Sequence, residues 1–469
     1  MFSKIILLLV LISSTALASF ESAERNFSKR SMSQADYRSA IIELVNAGYY
    51  FSVVPWMKDY LVKNNRALDS ELESAFEKIL NVTGVKTFES LPDSILRRSK
   101  SGNIHYILAR RLFTRGENNE ALQELKKISA AHSSYPFVAN MKGTIHSILG
   151  NQKEALTQYA DCVRISEKEA GRDKMQIQQA QLLINRDYCL AGTARVQFAM
   201  GDYTKAELNY LDISKDSYIW PEILFEEAWT SYYIKNYNRT LGKLVSYKAP
   251  VFDFIFKPEV EVLRALTYMK MCLYEDAKKT ADGFYDELLN PAKALRRFIM
   301  SRGKDYRYYY NLMADHEGLK PAPLPIIDSI LKSVKKDAAY MEMKNSLSQA
   351  LAEYTELQKR GKSRLNSQLT RNLQTVLDEY RNTLGAYVRS GLVSKYAELY
   401  SAFQGMSYIK LEALAQRKER LYQSDTLPGK KRGDVKYIDR NDKQYFWNFN
   451  GEFWADELGD YVFALRSEC

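Results

Sequence analysis

Four cysteines, four histidines and a cluster of late carboxylates are the residues of this 469-residue chain whose types could do chemistry. Cys162, Cys189, Cys272 and Cys469 show no metal-ligand spacing, so structural thiols or disulfides are their expected use. His105, His132, His146 and His316 form no helical ligand pair and stand beside no cysteine, so no metal site is expected. Neither a phosphate loop nor a Gly-x-Ser-x-Gly elbow occurs. Near the end, Glu452, Asp456, Glu457 and Asp460 stand among Trp447 and Trp454. Two carboxylates on such an aromatic platform are what a sugar hydrolase needs for acid/base work. Acids in these surroundings more often cap helices or pair with Lys and Arg, and the chain reads as non-enzymatic with no cofactor. A cell-wall-associated hydrolase or its accessory factor, with a site in the tail, is the alternative reading.

The elements that would position these residues begin with an export signal. Lys4, the apolar run Ile5–Ile12 and Ala16-Leu17-Ala18 have the order of a secretory signal peptide, with cleavage expected after Ala18. The run is too short for a permanent bilayer span, and no later run has transmembrane length. The mature chain is therefore expected in the periplasm or envelope, where its cysteines would meet oxidising conditions. The formal charge of +10 is spread among interleaved acids, without the concentrated basic face that nucleic acid requires. Sparse glycine and proline beside abundant Leu, Ala, Lys, Glu and Tyr favour helix.

A repeat organises the middle of the chain. Gly116 and Ala121 recur as Gly150 and Ala155, and Tyr203 recurs as Tyr237, each after 34 positions. Further copies carry Ala194, Gly201 and Ala206, then Ala228 and Leu241, then Ala265, Tyr274 and Ala277, with Lys235 and Cys272 where the turn glycine stands in earlier copies. Gly48 stands two periods before Gly116 and marks a degenerate early copy. Between Gly150 and Gly201 the spacing exceeds the period by 17 residues, which predicts longer flanking helices. Those helices bring Cys162 and Cys189 onto neighbouring elements, and a disulfide between them is favoured over the other pairings.

These residues resemble the tetratricopeptide-repeat family, which implies an all-α superhelix of antiparallel hairpins, each burying its apolar face on the next. The resemblance also implies a concave groove lined by the first helix of each hairpin. Arg110, Phe113, Arg195, Phe198, Trp229 and Tyr232 fall at its inward positions, with Thr144, Ser147, Leu266 and Met269 in the intervening layers. Arginine and aromatic side chains are enriched at binding hot spots, so an acidic or carboxylate-bearing peptide is the expected guest. Packing of these side chains on one another is the competing use.

The expected boundaries are a signal peptide (1–18), an N-terminal helical region (19–102), the repeats (103–288), a connector (289–325), a long helical hairpin or bundle (326–422) turning near Gly361, a basic linker (423–436) and an aromatic, acidic tail (437–469). The tail motif Gly451-Glu452-Phe453-Trp454, with Asp456-Glu457-Leu458-Gly459 and the final Cys469, resembles the close of envelope tetratricopeptide proteins associated with adventurous gliding motility. That resemblance implies a part in a multi-protein envelope machine. By itself the motif reads as a folded cap over the helical array.

Overall fold

The computed structural model describes residues 19–27, 33–172, 176–423, 438 and 440–469. The expected signal peptide (1–18) and residues 424–436 of the expected linker lie outside these described residues. The fold is all-α, of the tetratricopeptide-like helical-repeat class. In chain order the helices are α1 (19–27), α2 (Gln34–Asn46), α3 (Val54–Lys63), α4 (Ser70–Thr83), α5 (Asp93–Leu96), α6 (Gly102–Thr114), α7 (Asn118–Lys126), α8 (Tyr135–Ile148), α9 (Gln152–Ala170) and α10 (Gln176–Ala199). They continue as α11 (Tyr203–Tyr210), α12 (Trp220–Tyr233), α13 (Tyr237–Val245), α14 (Glu259–Lys270), α15 (Tyr274–Arg302), α16 (Tyr306–Glu317), α17 (Pro325–Lys335), α18 (Ala338–Lys359) and α19 (Arg364–Gln423). In the tail, β1 (Trp447–Asn448) and β2 (Tyr461–Val462) form a short parallel pair.

Two compact units result, one of residues 1–138 with 338–384, the other of residues 139–337 with 385–469. The cuts fall inside α8 and α19, so the division crosses the segments read from the sequence. The expected connector is itself largely helical: α15 runs through Pro291 to Arg302, and α16 follows.

One turn recurs throughout. At Gly48, Gly116, Gly150 and Gly201 φ lies between 77 and 89°, and Lys235 and Cys272 keep the same left-handed turn at 68 and 57°. In each, the left-handed residue's N–H returns to the carbonyl three residues back and the next N–H to the carbonyl five back, as in Gly116 to Phe113 and Glu117 to Leu112. This Schellman arrangement satisfies the last carbonyls of one helix while reversing the chain into the next. Leu319, at φ 65°, makes the same turn after α16, where the 34-residue period gives no sign of it.

Within the first unit, α18 and the start of α19 form the expected hairpin. Asn366 Nδ2 donates to the Leu357 carbonyl across the turn at 3.0 Å, and Gln374 donates to the Tyr354 hydroxyl. The hairpin holds the N-terminal helices through the buried Glu353, whose carboxylate accepts the backbone N–H groups of Tyr50, Phe51 and Ser52 at 2.8–3.0 Å. Burial raises the Glu353 pKa, and those three donors work against the shift.

In the second unit, helices α9 to α15 pack in series, each on its neighbour in sequence. The extra residues between Gly150 and Gly201 lengthen α9 and α10 to 19 and 24 residues. The later part of α19 runs antiparallel to α15: Arg417 pairs with Glu275 at 2.8 Å, Lys410 with Asp282 at 2.6 Å, and the Phe403 ring meets Phe284 at 5.0 Å.

The tail covers α13 on the flank of the array. A Cβ at Gly242 would overlap the Tyr461 carbonyl, so only glycine permits the extended tail to lie on this helix. Asn238 of α13 holds the Leu465 backbone from both sides, accepting its N–H at 3.0 Å and donating to its carbonyl at 3.1 Å. Tyr461 and Leu458 join Trp220, Leu224 and Phe252 in one apolar cluster.

Replacing Lys235 by Gly is expected to raise the unfolding free energy by about 0.5–1 kcal/mol, because a side chain in the left-handed region costs about 1 kcal/mol or more. Denaturant unfolding checks this. Gly242→Val is expected to lift the tail and speed amide exchange at residues 459–465, while leaving exchange in α2 and α4 unchanged.

Candidate functional site: a cavity between the repeats and the long helix

Within the second unit a cavity of about 850 Å³ opens between the repeat array and α19. Tyr188 comes from α10 and Glu222 from α12, while Tyr218 and the Phe254–Lys257 segment come from the loops that enter α12 and α14. The opposite wall is Asp337, just after α17, with Tyr387, Ser390, Ser394 and Lys395 of α19. Small residues shape that wall. Gly391 lies where a Cβ would come within 2.8 Å of Val334, and a Cβ at Gly385 would overlap the Tyr306 carbonyl, so α19 sits close against α16 and α17.

The lining combines apolar surface with fixed polar groups. Tyr387 donates its hydroxyl to Asp337 at 2.6 Å, Lys395 pairs with Glu398 at 2.8 Å, and the Lys257 ammonium stands 4.4 Å from the centre of the Phe225 ring. Burial pushes the Tyr188 hydroxyl up to about 12, with Glu222 and Asp337 adding to the shift. Burial also raises Tyr218 and Tyr387, the latter with help from its bond to Asp337. All three tyrosines therefore remain neutral hydrogen-bond donors at physiological pH. Among the described residues no group of His, Cys, Asp and Glu is arranged to hold a metal ion.

The residues expected to face the groove are engaged within the protein. Arg195 pairs with Glu226 at 2.6 Å and Glu222 at 3.3 Å, and Tyr210 donates to the same Glu226 at 2.7 Å. Phe198 meets Tyr203 and Tyr233 edge-on. Trp229 packs on Phe225, Tyr232 and Tyr233, and Tyr232 also meets Tyr237. In the first unit Arg110 pairs with Glu89, and Phe113 is half-buried. The structure thus packs Phe198, Trp229 and Tyr232 on neighbouring rings and pairs Arg195 with Glu222 of the cavity wall.

The cavity residues Tyr218, Asp337, Tyr387, Ser390 and Ser394 escaped sequence reading because they come from inter-hairpin loops and from a helix nearly 200 residues away. The small-residue run Ser390-Gly391 on α19 was the one available sign of close approach there. In the tail, Asp460 is taken by Lys215 at 2.7 Å, and the Asp456 carbonyl accepts from the same ammonium at 2.9 Å.

All four cysteines are bridged. Cys162 and Cys189 join α9 to α10 with Cα atoms 6.2 Å apart, at mid-helix positions. Cys272, at the left-handed turn, joins the terminal Cys469, whose tail also bonds Met271 through the Glu468 N–H at 2.9 Å.

No family profile and no curated protein matches this chain. Among solved structures it is similar to the apo form of RapI, at 10% identity and a TM-score of 0.32 over 79% of this chain and 97% of that one. It is likewise similar to the Rap conjugation gene regulator of plasmid pLS20 in complex with the Phr* peptide, at 11% identity and a TM-score of 0.33 over 80% and 96%. Similarity at this level carries no functional argument.

Thiol labelling of the denatured protein is expected to modify no cysteine without reductant and all four after reduction. In the chain-entropy description the 27- and 197-residue separations correspond to about 3.5 and 5 kcal/mol as upper values, so reduction should lower the melting temperature markedly.

Proposed function

We propose that this chain is a non-enzymatic interaction scaffold of the bacterial envelope that receives a segment of a partner protein in the cavity between the repeats and α19. The observation that carries the reading is the cavity itself. Its volume falls within the range of about 300–1,000 Å³ typical of binding pockets, and its lining combines apolar surface with a few oriented donors and acceptors. Tyr188, Tyr218 and Tyr387 supply rigid amphipathic surface of the kind enriched at interfaces. Glu222, Asp337 and Lys395 would fix the guest's orientation.

Export supports the envelope assignment from two sides: the first eighteen residues have the order of a signal peptide, and every cysteine is bridged. The described helices include none long and apolar enough to cross a membrane. Attachment to the envelope would then run through protein partners, and the tail's resemblance to gliding-motility tetratricopeptide proteins makes a motility or envelope-spanning complex the first assembly to search.

Crosslinking and recovery from envelopes tests this, comparing the native chain with the double variant Ser390→Arg and Ser394→Arg. Both serines are exposed on α19 and line the cavity, so arginines there fill it without disturbing the core. Specific partners recovered by the native chain should fall at least about tenfold with the variant at unchanged thermal stability. Equal recovery with both would remove the cavity from the reading, and recovery of no specific envelope protein would remove the scaffold.

A further inference from the structure

A second pocket, of about 420 Å³, lies where the tail meets α11, α12 and α13. Its rim carries Tyr445 and Trp447, which are 68% and 45% exposed, large values for aromatic side chains in a folded tail. They stand two residues apart at the entry to β1, and both line the pocket. The intervening Phe446 and the preceding Gln444 point the other way: Phe446 lies under Arg239 at 5.4 Å, and Gln444 donates to Glu207 at 3.2 Å. This stretch is therefore anchored through Gln444 and Phe446, while Tyr445 and Trp447 stay exposed on the pocket rim.

The rest of the pocket is polar with both signs of charge. Its floor contains the buried pair of Lys243 and Glu227, 2.6 Å apart, and its sides contain Lys215 with Asp460 and the ammonium of Lys443, which pairs with Asp212. An ammonium has three N–H donors, and these pairs leave some unused on Lys215 and Lys443. Among the described residues neither the Tyr445 hydroxyl nor the Asp456 carboxylate has a hydrogen-bond partner.

We infer that this pocket binds a neutral saccharide, stacked on Tyr445 and Trp447 and hydrogen-bonded to Lys215, Lys443 and Asp456. Each element restricts the ligand. Two exposed rings call for a flat, weakly polar face, which the C–H side of a sugar ring offers. Donors and acceptors side by side call for groups that both give and receive hydrogen bonds, and sugar hydroxyls do both. A phosphate-rich ligand would meet the carboxylates of Asp456, Asp460 and Glu227. A proline-rich peptide would suit the rings but leave the Asp456 carboxylate and the spare N–H groups of Lys215 and Lys443 desolvated without partners. The site is separate from the cavity beside α19 and independent of the function proposed there.

Calorimetric titration of the full chain with the β-1,4-linked trisaccharide of N-acetylglucosamine, cellotriose and maltotriose tests the inference, with a proline-rich decapeptide as the competing class. At least one trisaccharide is expected to bind saturably in the millimolar range or tighter. Trp447→Ala and Tyr445→Ala should each weaken it by about tenfold, the effect of losing one stacked ring, with thermal unfolding unchanged. Absence of binding by all three sugars, binding of the peptide alone, or sugar binding indifferent to both substitutions would each overturn the assignment.

Discussion

A chain that leaves one α-helix and enters an antiparallel neighbour within a few residues has to satisfy the carbonyls it abandons and reverse direction at the same time. A single residue at positive φ does both, because it lets two successive N–H groups fold back onto the helix just ended. Everything else in the repeats depends on that residue. The positions of Ala121, Ala155, Ala206 and Ala277 in the second helix are set by their distance from it, and so is the face that each hairpin buries on the next. Lys235 and Cys272 hold the same geometry without glycine's freedom, which shows that packing of the neighbouring hairpins supplies enough energy to keep an unfavourable backbone in place.

The buried charges of the second unit depend on the tail in a similar way. Glu207 and Arg239 are 2.7 Å apart and both nearly inaccessible, and Lys243 and Glu227 beside them are equally covered. Such pairs lose their hydration on burial and recover it only with full pairing and extra hydrogen bonds. Gln444 supplies one of those bonds to Glu207, and the Phe446 ring faces Arg239. The tail is therefore part of the core of the second unit.

Much of the helical organisation was legible in the sequence, because the 34-residue period is written in small and large residues whose spacing is fixed by close helix packing. Gly116, Gly150 and Gly201 announce turns that only their backbone freedom makes easy, and the 17-residue excess announces the longer α9 and α10. The turn at Leu319 was not legible, since a leucine there carries no sign of positive φ. The path of the tail was not legible either. Its aromatic density indicates burial somewhere, but Gly242 alone, an unremarked glycine inside α13, determines where an extended chain can lie. The cavity was hidden for a different reason. Its two walls are separated by about two hundred residues, and the arginines and aromatics that the repeat pattern brings forward have partners within the protein, Arg195 in Glu226 of the next helix and Trp229 in the rings of its own.

The bridge between Cys272 and Cys469 closes a covalent ring of almost half the chain. That ring includes residues 338–384, which belong to the first compact unit, as well as the segment 424–437 that joins α19 to the tail. A single cut by a protease anywhere between the two cysteines opens the ring and releases nothing. The pieces stay tethered, and the break becomes visible only when the sulfur link is reduced. The chain thus carries α19 and its aromatic tail inside a segment that can be nicked once and still be held together.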